Sequence, residues 1–200
     1  MSGPEDQILT IYAAQAAGWT RRRSQGLMER GWLDRFLAAM PSGRQVLDLG
    51  CGTGQPMATW LAAQGCRITG VDGVAGMLAE ARAVLPDHRW IEADLRDLPD
   101  LGRFDGILLW HSSFHLTPEA QRQLFAGLGA RANLGAALMF TSGPAAGVAM
   151  GEMGGAPLYH ASLDAAEYRA ILAAAGFAVL QHVETDPDCG GASVWLARQG

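Results

Sequence analysis

From residue 44 onward, short apolar runs alternate with longer stretches whose apolar residues recur every three or four positions. RQVLDLG (44–50) is compact and apolar and ends at glycine, the pattern of a buried strand. GQPMATWLAAQG (54–65) puts Met57, Trp60 and Leu61 at helical spacing and stops at Gly65. The alternation continues with a strand at 66–72 (CRITGVD), a helix at 74–86 stopped by Pro86, and a strand at 88–94 (HRWIEAD). A fourth strand, RFDGILLWH (103–111), leads to a helix at 117–133, for which Thr117 is the predicted N-cap and Pro118 the first residue. AALMFTSG (136–143) is a fifth strand, and 162–177 a helix capped by Ser162 and ended by Gly176. Two late strands, 178–185 and 192–198, are joined by the turn-rich DPDCGG.

Strands alternating with helices predict an α/β, doubly wound, Rossmann-like sheet, mostly parallel, with helices on both faces. The final connection is too short for a parallel crossover, so the last strand runs antiparallel to its neighbour. Residues 1–43 lie outside the alternation and read as an N-terminal helical cap on a core of 44–200, together a single domain. The stretch GPAAGVAMGEMGGAPLYH (143–160) is rich in glycine and short of pattern, and reads as a long lid or surface loop.

Composition narrows the classes. A chain of 200 residues, 49% hydrophobic and 18% charged, is globular and long enough for a sizeable core. Its net charge of -5 disfavours nucleic acid as a partner, because phosphate binding needs clustered Arg and Lys. The one basic cluster, Arg21 to Arg23, is short and reads as a solvated face or a local anion contact. Cys51, Cys66 and Cys189 form no CxxC pair and match no zinc spacing, so a reduced chain with no metal is expected. MSGPEDQ has no basic or apolar leader pattern, and no apolar run reaches the roughly 18–20 residues that span a bilayer. A cytoplasmic protein with no membrane contact is expected; oligomeric state is not legible.

The chemistry concentrates in VLDLGCGTGQP (46–56). In an open α/β sheet, ligands bind beyond the C-terminal strand ends, and the first strand delivers Gly50, Gly52 and Gly54 there. The spacing is GxGxG, with Gln55 where a dinucleotide fingerprint would carry its third glycine. Asp48 would repel a pyrophosphate but favour an ammonium or sulfonium. The loop therefore suits a nucleoside carrying a cationic group better than NAD. Asp72, with Gly73 after it, ends the second strand and suits a ribose diol. Asp94 ends the third strand, where it would accept from an adenine amino group while the Leu95 N–H donates to the ring. Met77 would cover an adenine face, a role that competes with ordinary helix packing.

VLDLGCGTG, GVD and EADLRDLP, followed by FDGILLW, resemble the motif series of class I S-adenosylmethionine-dependent methyltransferases, in particular small stand-alone bacterial members. The resemblance runs from about residue 44 to the C-terminus. It implies a seven-stranded sheet whose antiparallel last strand sits between strands 5 and 6. It further implies S-adenosylmethionine as cofactor and S-adenosylhomocysteine as product; with 200 residues leaving little room for a separate macromolecule-recognition domain, a small-molecule methyl acceptor is expected. In that family Asp48 and Gly50 would approach the methionine part, Asp72 the ribose, and Asp94 with Leu95 the adenine. Tyr12, Trp19 and Arg23 resemble the N-terminal cap over the cofactor.

LLWHSSFHL (108–116) follows the fourth strand and should face the transferred methyl. His111 is the candidate general base, because its ordinary pKa lies near neutrality. Trp110, His115, Tyr159 and His160 are candidates to line the acceptor pocket, and DCGG is a tight turn or a pocket wall. WHSS stands where nucleobase- and glutamine-methylating enzymes often show a (D/N)PPY tetrapeptide, which disfavours those substrates. The competing readings are a catalytically silent module that binds the same cofactor and an NAD-linked oxidoreductase.

Overall fold

A computed structural model describes residues 3–17 and 26–200. The expected Rossmann-like architecture is present: a seven-stranded sheet of order β3-β2-β1-β4-β5-β9-β8. Its strands are β1 (Gln45–Leu49), β2 (Arg67–Asp72), β3 (Arg89–Glu92), β4 (Phe104–Leu109), β5 (Ala132–Ser142), β8 (Phe177–Asp186) and β9 (Ala192–Gln199). β1 to β5 run parallel, and β9 lies antiparallel between β5 and β8. The short Asp186–Gly191 connection permits no other direction.

Alternate residues of each strand feed opposite cores. Val46, Leu108 and Met139 face a layer made by α2 (Arg30–Ala39), α3 (Met57–Ala63) and α4 (Ala75–Val84). Leu47, Ile107 and Phe140 face α5 (Pro118–Gly127) and α6 (Ala165–Ala174). Burial on both faces explains why these strands read as continuous apolar runs. The remaining described helix, α1 (Ile8–Ala16), lies outside both layers, over the C-terminal strand ends.

Local signals mostly hold. The Thr117 hydroxyl accepts from Ala120 N at 3.2 Å, capping α5 as expected. Ser162 does not cap α6. Asp164 accepts from Ala166 N at 2.7 Å and takes that role, while the Ser162 hydroxyl accepts from Gly143 N at 2.6 Å. The helix read as 117–133 ends at Gly127, because a short 3₁₀ turn, Gly129–Arg131, leads directly into β5.

The larger correction concerns 143–160. This segment is no patternless loop: it forms most of an antiparallel hairpin, β6 (Gly147–Met153) and β7 (Ala156–Ser162), separate from the main sheet. Glycine and alanine hid the strand alternation in β6. Its turn, Gly154-Gly155, has φ of 60° and 82°, the left-handed geometry of a two-residue hairpin loop. The hairpin packs through Leu158, Tyr159 and Ala161 against Ile8 and Ile11 of α1.

Fully buried Gln121 joins the hairpin to the main body. Its Nε2 donates to Leu116 O and to Ala161 O, both at 2.9 Å. Its Oε1 accepts from the Tyr168 hydroxyl. Replacing Gln121 with leucine leaves the buried Ala161 carbonyl and Tyr168 hydroxyl, and the part-buried Leu116 carbonyl, without these partners, so Gln121→Leu is expected to lower unfolding free energy by about 2–4 kcal/mol. Denaturant unfolding with an unchanged m-value checks this.

Candidate functional site

β1 and β4 are neighbours whose connections leave in opposite directions, the switch point at which open α/β sheets bind ligands. A cavity of about 550 Å³ opens there. Its floor is the turn after β1. Gly50 (φ 78°) and Gly52 (φ 54°) adopt left-handed backbone that other residues reach only with strain. A Cβ on Gly50 would stand 2.2 Å from the Ser112 Cβ, so this glycine is required by close approach. Ser112 Oγ in turn donates to Leu49 O at 2.7 Å, stitching the turn after β4 to the glycine loop.

Asp72 fixes the loop from the side. Its Oδ2 accepts from Gly52 N at 2.8 Å and its Oδ1 from Val74 N at 2.9 Å. Burial raises its pKa above the usual carboxylate value, and the two backbone bonds work against that rise. Each oxygen therefore holds one donor and keeps acceptor capacity beside the cavity.

The residues expected at an adenine, Asp94 and Leu95, both stand at the cavity. The Asp94 carboxylate is gripped by Arg96, with Nε at 3.0 Å to both oxygens and Nη2 at 2.6 Å. Burial raises the Asp94 pKa, but the bonds from Arg96 outweigh it and the net shift is downward. Arg96 also reaches Asp6 at 3.1 Å, so the guanidinium links the strand end to the N-terminal segment. Sequence reading missed Arg96, Glu5 and Leu9, all of which line the cavity. The i, i+2 spacing of Asp94 and Arg96 was the only available signal for the first. Nothing local marked the other two.

Of the other candidates, Gly73, Met77, Tyr12, Trp110, His111 and His115 line the same cavity. Asp48, Gly54, Tyr159 and His160 do not. Asp48 is buried in β1 and acts at a distance on the Cys51 thiol, whose pKa is raised by burial first and then by Asp48 and Asp72. Gly54 packs against the Trp90 ring. Tyr159 and His160 stand on β7 behind His115. Trp19 and Arg23, with the whole Arg21–Arg23 cluster, fall outside the described residues. Cys189 and Gly190 of DCGG contribute to the wall.

The wall after β4 carries the titratable groups. His111 has φ of 51°, a left-handed conformation unusual for a side-chain-bearing residue, and its N–H donates to Thr141 Oγ1 at 2.9 Å. His115 is held at both ring nitrogens. Tyr159 O accepts from Nδ1 at 2.9 Å, and a carbonyl can only accept, so Nδ1 carries the proton. Nε2 of the neutral ring then accepts from the Tyr12 hydroxyl at 2.8 Å. Burial pushes the His115 pKa down to about 4, and nearby His160 and His111 add to the fall against the bond to Tyr159.

A family model described as a methyltransferase domain matches residues 46–131. Over 56 residues the chain is 50% identical to trans-aconitate 2-methyltransferase of Escherichia coli O1:K1, a match covering 26% of this chain and 21% of that protein. It is 42% identical over 95 residues to malonyl-[acyl-carrier protein] O-methyltransferase of Pectobacterium atrosepticum, covering 46% and 36%. The chain thus spans about a fifth to a third of the curated relatives it matches. A solved S-adenosylmethionine-bound amino pentose methyltransferase from Micromonospora echinaspora superposes with TM-score 0.71 at 22% identity, covering 94% of this chain and 96% of that one. Residues 46–131 thus match a methyltransferase domain, and the chain as a whole shares the fold of a solved S-adenosylmethionine-bound methyltransferase.

The His115 environment predicts a pH signature. Between about pH 6.5 and about 4 the unfolded chain binds a proton here that the folded chain excludes, so stability falls as pH drops through that window and levels off below it. The full effect is on the order of 3 kcal/mol. His115→Gln is expected to flatten this part of the stability-against-pH curve, measured by denaturant titrations across the window.

Proposed function

We propose that this chain transfers a methyl group from S-adenosylmethionine to a small-molecule acceptor. The observation that carries the reading is Asp72. Its carboxylate stands at the cavity, oriented by Gly52 N and Val74 N, with acceptor capacity left for two hydroxyl hydrogens of a ribose. The rest of the donor set fits the same cofactor. Gly52 has open space where a Cβ would stand, so a ligand can lie against its backbone. Val74, Met77 and Leu95 give apolar walls for a purine. Asp94, already bonded to Arg96, offers a carboxylate edge beside them.

When bound, the cofactor supplies a methyl group on a positively charged sulfur, open to in-line attack by an acceptor heteroatom. The protein's work is placement. Asp72 and the glycine turn hold the nucleoside end, and Trp110 and the His111–His115 turn form the wall beyond β4. His111, half-buried on that wall, accepts the proton that an acceptor hydroxyl or amine gives up. His115 is unsuited to that task, because its depressed pKa keeps it a weak base and both nitrogens are engaged. Tyr12, bonded to His115, lays the N-terminal helix over the cleft.

The acidic balance of the chain supports a small acceptor over nucleic acid. The three cysteines are buried and unpaired with one another, which supports a reducing, cytoplasmic setting. No helix among the described residues is long and apolar enough to cross a membrane.

Calorimetric titration with S-adenosylhomocysteine is the first test. Binding is expected for the wild type, with NAD giving no heat. Asp72→Ala should raise Kd by about 10- to 100-fold, the range for losing a charge-assisted pair of hydrogen bonds. Equal affinity in the variant would remove Asp72 from the site. His111→Asn should leave S-adenosylhomocysteine affinity intact and lower turnover by about 10²-fold or more.

A further inference from the structure

The β6–β7 hairpin presents a strand edge that no described element covers. β6 is exposed from residue 147 to residue 152 and pairs only with β7. Its two-residue glycine turn is flanked by a hydrogen-bonded pair, Met153 with Ala156, and such pairs alternate along an antiparallel ladder. Gly147, Ala149, Gly151 and Met153 therefore direct their backbone groups to β7, while Val148, Met150 and Glu152 direct theirs outward. The partner strand supports this phase independently. Tyr159 and Ala161 sit opposite Met150 and Val148, and their carbonyls turn away from β6 to accept from His115 and Gln121. Apart from the single charge of Glu152, the free edge lacks the usual protections: β6 contains no proline or lysine, and its register has no bulge.

We propose that this edge pairs antiparallel with the same edge of a second copy of the chain. A twofold axis at Met150 sets it against the partner's Met150, and sets Val148 against the partner's Glu152. The outward N–H and C=O groups at 148, 150 and 152 then meet donor to acceptor across the axis. Glu152 is the strand's one charged residue. This register faces it with valine and keeps it from its own twin, avoiding a directly opposed like-charge pair. Val148 and Met150, 59% and 51% exposed, lie on one face by strand parity, and their twins extend that apolar strip. A strand from a different protein could use the same edge, but the equal spacing of Val148 and Glu152 about Met150, which sets the one charge against an uncharged residue, favours a second copy. The contact would brace β7, whose Tyr159 carbonyl orients His115.

Light scattering on the full chain is expected to give twice its 21.2 kDa at micromolar concentration, falling towards the monomer on dilution. Met150→Pro removes the central outward N–H without touching a bond to β7, a placement that edge strands tolerate. It should be monomeric, with the melting temperature that the wild type shows when diluted to its monomer. Should that variant melt early, Met150→Cys decides. Mild oxidation should join two copies through the axis, while Leu134→Cys, 80% exposed elsewhere on the surface, stays monomeric. A wild type that is monomeric throughout overturns the proposal. A folded Met150→Pro that still dimerises also overturns it, and so does cross-linking no better at 150 than at 134.

Discussion

One carboxylate sets the geometry of the cleft. Asp72 ends β2, yet it accepts hydrogen bonds from Gly52, in the turn after β1, and from Val74, ahead of α4. Those bonds fix the glycine turn, and the turn fixes how close the segment after β4 can come. Ser112 then rests against Gly50, which has no side chain to oppose it, and donates to Leu49 O. Three strand ends are locked together in this way by the chain's own hydrogen bonds. Preorganisation of this kind lets a site bind without first ordering its own backbone.

The opposite wall is assembled on different terms. The hairpin, the turn after β4 and the N-terminal helix belong to distant parts of the chain, and buried polar groups join them. Gln121 bonds Leu116 and Ala161; His115 bonds Tyr159 and Tyr12. Such a network is stable only when every member is satisfied, and that requirement specifies one arrangement. Neutral His115 is part of the condition, because a protonated ring would present Nε2 as a donor to Tyr12 and desolvate a charge.

Much of the fold was legible because burial on both faces leaves a strong imprint. RQVLDLG, CRITGVD and FDGILLWH read as strands from apolar run-length alone, and the short DPDCGG connection settled the direction of the last strand. The hairpin was not legible. In GVAMGEM the side chains are small or exposed, so no alternation of apolar and polar residues survives. The glycine turn, Asp72 and Asp94 were found as cavity residues because strand ends mark them. Glu5 and Leu9 were missed because cavity lining by a distant segment leaves no local pattern, and Arg96 because only its i, i+2 spacing from Asp94 marked it. Asp48 shows the converse: sequence position put it at the mouth of the loop, but strand parity turns it into the interior.

Leu9 lies over Gly73. A Cβ at residue 73 would stand 2.7 Å from one methyl of that leucine and 2.9 Å from the other. Roof and floor thus meet at a point where one of them has no side chain, and the opposing atoms are the ends of a flexible one. A single methyl group added to the floor would be absorbed by a leucine rotamer, at little cost to the sheet beneath. The height of the cleft is therefore adjustable at this spot independently of the machinery that grips the ligand. Related chains could diverge in the size of molecule they admit by changing residues 9 and 73 together, with the strand ends left untouched.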